Sequence, residues 1–193
     1  MDQRVLIAIV IGVAILAIAA IVILSRKRKS QQLKEHFGPE YDRAVAGRGD
    51  TAKAELELIK REKRVHSFSI KTLSPEIRAR YIEQWNEVQR RFVDDPGAAV
   101  GEADALVNQV METRGYPTAD FDQRAADLSV NYPRVVENYR SARAIAQRHA
   151  SGDAGTEDLR QAMVYYRSLF SELLDTPQSA ATTSREVLHE RAS

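Results

Sequence analysis

The residues best suited to acid–base or transition-metal chemistry are the four histidines His36, His66, His149 and His189, and they lie far apart in the chain. None stands in the H-E-x-x-H spacing that brings two imidazoles to one helix face. Cysteine is absent, which excludes a thiolate nucleophile, a cysteine zinc site and a disulfide framework. The glycine-rich patterns that cradle phosphate and the G-x-S-x-G nucleophile elbow are absent too. Asp94 and Asp95 are paired carboxylates, a pattern used in metal and general acid–base chemistry. No histidine neighbours them, and Asp95 before Pro96 has a simpler use as a helix cap. An enzyme needs a convergent constellation, and none is visible. The expectation is a non-enzyme with no catalytic residues, no cofactor and no metal.

Charge is the next source of chemistry. The formal net charge is +1, but it averages two unlike parts. Five of the 28 basic side chains and one of the 27 acidic ones fall in residues 1–29, which leaves 23 basic and 26 acidic, a net −3, beyond them. A nucleic-acid binder shows a basic field or stripe, so no nucleic-acid partner is expected. The basic residues concentrate in Arg26, Lys27, Arg28 and Lys29, and again in Lys60 to Arg64. The first cluster can set membrane topology and touch anionic lipid headgroups. The second reads as a solvated helix end.

What positions the first cluster is Val5 to Leu24, twenty residues with no charge and no hydrogen-bonding side chain. A helix of that length spans roughly 30 Å, the thickness of a hydrocarbon core. A cleavable signal peptide has a shorter apolar stretch, and the basic cluster here sits on the wrong side for one. Residues 1–29 are therefore expected to be a single-pass anchor with a basic flank. The lysine- and arginine-rich side stays cytoplasmic, which places the N-terminus outside and the following domain inside a bacterial inner membrane. Reversed topology would make the domain envelope-facing. Ala8 and Gly12 form a small-xxx-small pair, a weak signal for a homodimer.

Residues 30–73 read as juxtamembrane helices and a connector. Gly38-Pro39 breaks the first helix, and GRGD at 47–50 reads as a loop. From Thr51 the pattern predicts a helix with Ala52, Leu56, Ile59 and Lys63 on one face. VHSFSIKTL, at 65–73, alternates like extended chain but has no partner strand. Residues 74–175 read as the helical bundle core. Ser74-Pro75 caps a helix whose stripe is Ile77, Tyr81, Trp85, Val88 and Phe92. Glu76–Arg80 and Glu87–Arg91 are spaced to pair on its outer faces. Asp95-Pro96 starts the next helix, on Val100, Ala103, Val107 and Val110, and Gly115 with Pro117 ends it. A short helix follows over Thr118 to Val130, and two more run from Pro133 to about Ser151 and from Thr156 to just before Pro177. The fold class is all-α, with five or six helices after the anchor. The tail, 176–193, has few large apolar residues and is expected to be disordered.

Tyrosines 81, 132, 139, 165 and 166 stand among arginines and carboxylates, a composition suited to a buried hydrogen-bond network that fixes helix packing. The stretch from Arg114 to Asp122 mixes aromatics with charges on a loop. Arg114, Tyr116, Pro117 and Phe121 are its candidate partner-binding residues. The face of the helix from Pro75 to Val93 is a second candidate.

The blocks RFVDDP, RGYP and DLSV, within residues 70–174, resemble a family of uncharacterised bacterial proteins that often carry one N-terminal membrane segment. The resemblance implies a bacterial, membrane-associated, helical protein, and brings no activity or catalytic residue. The functional expectation is a membrane-anchored interaction or scaffold module that binds another protein. The alternative is a module for anionic lipid surfaces using Arg26 to Lys29.

Overall fold

A computed structural model describes residues 3–117 and 119–175, without the side chains of 3–11 and 13–15. It is all-helical, with no strand among the described residues: α1 (Gln3–Phe37), α2 (Pro39–Arg48), α3 (Thr51–His66), α4 (Pro75–Asp94), α5 (Pro96–Arg114), α6 (Phe121–Asn131), α7 (Val136–Ala150) and α8 (Thr156–Leu174). Among the described residues seven helices follow α1, where five or six are expected. The extra one is α2. Pro39 does not merely interrupt a helix but begins a new one, where its missing N–H costs nothing. GRGD is not wholly a loop: Gly47 and Arg48 belong to α2, Gly49 ends it at φ 65°, and Asp50 accepts from Ala52 N at 2.8 Å.

The chain divides into two compact units, Met1–Ile59 and Lys60–Ser193. In the first, α1 continues unbroken through the basic flank to Phe37. Part of the apolar run Val5 to Leu24 lies outside the described side chains. Among the described residues no helix is long and apolar enough to cross a membrane. Leu33, Phe37, Tyr41, Ala54 and Leu58 are buried. The Tyr41 hydroxyl donates to Glu55 at 2.9 Å and meets Ser30 Oγ at 3.2 Å. The expected face of α3 is corrected: Leu56 is 53% exposed, while Ala54 and Leu58 are fully buried.

The second unit is organised around α5. It packs against α4, α7 and α8, and α7 packs against α8. Side-chain pairings give the directions. Arg91 bonds Glu102 and Tyr81 reaches Thr113, so α4 and α5 are antiparallel. Tyr166 meets Asp104 and Arg114 meets Leu173, so α5 and α8 are parallel. Asn138 with Ser168 and Arg148 with Asp158 make α7 and α8 antiparallel. The stripes read from sequence for α4 and α5 enter one core, with Tyr81, Trp85 and Val88 from α4 and Val100, Ala103, Val107 and Val110 from α5, and Leu159, Ala162, Tyr166 and Leu169 of α8 join them there.

The caps behave as their residue types require. Ser74 accepts from Ile77 N at 3.3 Å, Asp95 from Ala98 N at 3.0 Å and Asp120 from Gln123 N at 2.9 Å. Because Asp120 holds that cap, α6 starts at Phe121 and not at Thr118, which lies outside the described residues. Surface pairs differ from those expected on α4. Glu87 takes Arg90, and Arg91 turns to Glu102 on α5. Phe68, Ile70 and Leu73 pack on the core from a connector without a strand partner. The tail from residue 176 lies outside the described residues.

Candidate interaction surface

The polar residues of the second unit gather in two places. The first lies among α5, α6, α7 and α8. Asp104 Oδ1 accepts from the Tyr166 hydroxyl at 3.1 Å, and its Oδ2 faces Arg143 at 3.6 Å. Tyr139 donates to Asn108 at 3.2 Å and accepts from Arg124 Nε at 3.3 Å. Phe121 meets Tyr139 at a tilt, and the Arg143 guanidinium lies over the Phe121 ring. Tyr139 and Tyr166 are fully buried. The network joins four helices that apolar contact alone would leave free to slide.

The second place is the joint where α5 ends. Arg114 is 2% exposed. Its Nε donates to Lys71 O at 3.3 Å, and Nη1 donates to Leu173 O at 2.8 Å and to the Tyr132 hydroxyl. One guanidinium thus ties the connector, the end of α8 and the residue after α6 to α5. Lys71 N returns a bond to Arg114 O at 2.7 Å. Tyr116, 3% exposed, accepts from Asn131 Nδ2 at 2.8 Å. Asp127, also buried, accepts from Gln123 at 2.8 Å and Arg64 at 3.2 Å. Burial pushes its carboxyl above the ordinary range, against the pull of Gln123 and Arg64.

Of the four residues marked as a partner surface, Arg114 and Tyr116 are therefore inside. Pro117 is exposed and Phe121 half-buried. Arg26, Lys27, Arg28 and Lys29 are exposed on α1. The histidines stay apart: His36 stacks edge-on with Phe37, His66 Nδ1 meets Glu62 O at 2.7 Å, and His149 lies against Gly97 and Ala154. His189 lies outside the described residues. No cluster of three metal-binding side chains occurs among the described residues.

One open surface feature among the described residues is a trough between α4 and α8. These helices both rest on α5, without comparable backbone contact between themselves. They run antiparallel, with Arg78 on Asp175 at one end and Trp85 stacked on Phe170 at 4.7 Å in the middle. Two adjoining hollows, of about 170 and 320 Å³, share Trp85, Gln89 and Arg167. Phe92 and Met163 close one end, and Ile82 and Leu174 line the other. Ile82 and Val164 remain 42% and 38% exposed. The Trp85 indole N–H is buried with no acceptor among the described residues. Sequence reasoning marked α4 but not α8, because the trough exists only once two distant helices lie side by side.

The buried tyrosines carry a pH prediction. Burial raises Tyr116 to about 12, and Tyr132, Tyr139 and Tyr166 are raised for the same leading reason. The unfolded chain ionises its tyrosines near pH 10, by the reference value of about 10. These groups thus contribute stability that is complete below that pH and lost as pH rises through the folded values. Tyrosinate absorbance should lag in the native state and then rise together with loss of helical signal. Smooth ionisation of all seven tyrosines near pH 10 with helicity intact would contradict the burial.

The chain matches no protein-family model, and it resembles no curated protein and no solved structure.

Proposed function

We propose that this chain is a single-pass membrane protein whose helical unit binds another protein at the cytoplasmic face of a bacterial inner membrane. The observation that carries the proposal is Val5 to Leu24, wholly apolar and followed at once by Arg26, Lys27, Arg28 and Lys29. The 35 residues of α1 span roughly 50 Å at 1.5 Å each, which leaves turns to spare beyond a hydrocarbon core of about 30 Å. Anchoring concentrates a bound partner at the membrane. The bundle supplies a rigid scaffold, and its half-exposed apolar side chains on α4 and α8 supply contact area. The reading assigns no catalysis.

A reporter fused after Ser193 and active only in the cytoplasm should be active, and one active only outside should be silent. The opposite pattern would overturn the topology and place the helical unit on the envelope side. Crosslinking from membranes should then capture a specific partner.

The exposed cluster on α1 favours one second reading, an anionic-lipid surface module. That reading expects binding to anionic vesicles that fades at high salt. The cluster from Lys60 to Arg64 adds little to it, because Arg64 is engaged by Asp127 and sits over the Phe68 ring.

A further inference from the structure

We infer that the trough between α4 and α8 seats an amphipathic helix with acidic flanks, contributed by a partner protein. The inference rests on the protein-binding reading and names its surface and the chemistry of its occupant. From Phe92 to Arg78 the trough follows 15 residues of α4, about 21 Å or four helical turns. A helix laid in such a groove anchors through apolar residues at positions i, i+3, i+4 and i+7. Trp85, Phe92, Met163, Phe170 and Leu174 form the apolar bed for them.

Charge selects the flanks. Arg78, Arg160 and Arg167 line the trough, and Asp175 is the one carboxylate among its described lining residues. Asp175 is already held by Arg78 at 2.8 Å, and Arg160 is held by Glu157 just outside. Arg167 has no ion pair with any described residue. A carboxylate-bearing helix fits this surplus and a lysine-rich one is repelled by it. A second copy of the same face would bring arginine against arginine.

Trp85 is the only tryptophan in the chain, so its fluorescence reports on the trough alone. The full chain in phosphatidylcholine nanodiscs is titrated with a designed helical peptide bearing a leucine stripe flanked by glutamates. Its counterpart carries lysines in place of the glutamates, and empty nanodiscs are the blank. The glutamate peptide should shift Trp85 emission saturably and the lysine peptide should not. Arg167→Glu should weaken the glutamate peptide by about three- to tenfold, and Ile82→Asp should remove the response while helicity stays intact. Equal responses to both peptides, or none to either, overturn the inference. So does an emission shift that tracks protein concentration and vanishes in Ile82→Asp, which makes a second copy the occupant. So does a shift caused by deleting residues 176–193, which makes the chain its own occupant. A partner captured from membranes with or without Ile82→Asp would sink the trough while leaving the protein-binding reading in place.

Discussion

Replacing Gly115 by alanine will destabilise the second unit by about 3 kcal/mol, within a range of roughly 2–5. Two independent costs meet at this residue. Gly115 ends α5 at φ 95°, in the left-handed region, and its N–H is bonded to Glu112 O and Met111 O. A residue with a Cβ resists that conformation by about 1–2 kcal/mol. The added Cβ would also stand 2.4 Å from Ser69 O and 3.2 Å from Ser69 C. Those are backbone atoms of the connector, and the connector cannot step aside. Lys71 N is bonded to Arg114 O on one side, and Phe68 and Ile70 are packed on the core. Overpacking against fixed backbone adds about 1–3 kcal/mol. Gly152→Ala separates the two costs. Gly152 has φ 82° but nothing within 4 Å of its would-be Cβ, so it carries the backbone strain alone. Denaturant unfolding of the two variants should differ by the size of the clash. Equal midpoints would mean that the connector gives way.

Much of this fold is legible in the sequence, and the reasons are local. Ser74-Pro75, Asp95-Pro96 and Gly115 followed by Pro117 mark the bounds of α4 and α5 to within a residue. The apolar stripes between them have a helical period, so their burial follows. The face of α3 was misread because Leu56 and Leu58 both belong to apolar rows at helical spacing, and only packing decides which row is inside. The pairing of Arg91 with Glu102 was not readable from α4, since its partner sits on another helix. The same limit hid the role of Arg114. A charged residue on a loop suggests a surface, and arginine is among the residues least often buried. Tyrosines among arginines did suggest an internal network, but not that Asp104 would be its acceptor. The trough was out of reach for the most physical of reasons. It has no sequence of its own, only the space left when α4 and α8 share α5.

The buried arginine carries the second large effect. Arg114→Met keeps most of the side-chain volume and removes every donor of the guanidinium. Lys71 O, Leu173 O and the Tyr132 hydroxyl then lose a partner together. Leu173 O belongs to the last turn of α8, where carbonyls have no helical donor and depend on an outside one. Each buried acceptor left unpaired costs about 1–3 kcal/mol. Against this stands the relief of no longer burying a charge, which makes some buried cations replaceable by apolar residues. Here the acceptors are mostly backbone, and methionine cannot remove them. The loss should therefore win, with a net destabilisation of about 3 kcal/mol. Arg114→Lys should recover less than half, because one ammonium cannot reproduce a planar fork that serves three separated acceptors. Tyr132→Phe removes only one acceptor and should cost about 1 kcal/mol. In the double variant Arg114→Met/Tyr132→Phe the costs should fall short of additive, since the two share a bond. A full-strength Arg114→Met protein, or strict additivity with Tyr132→Phe, would show that the joint is held by its apolar contacts and that the arginine is a passenger within it.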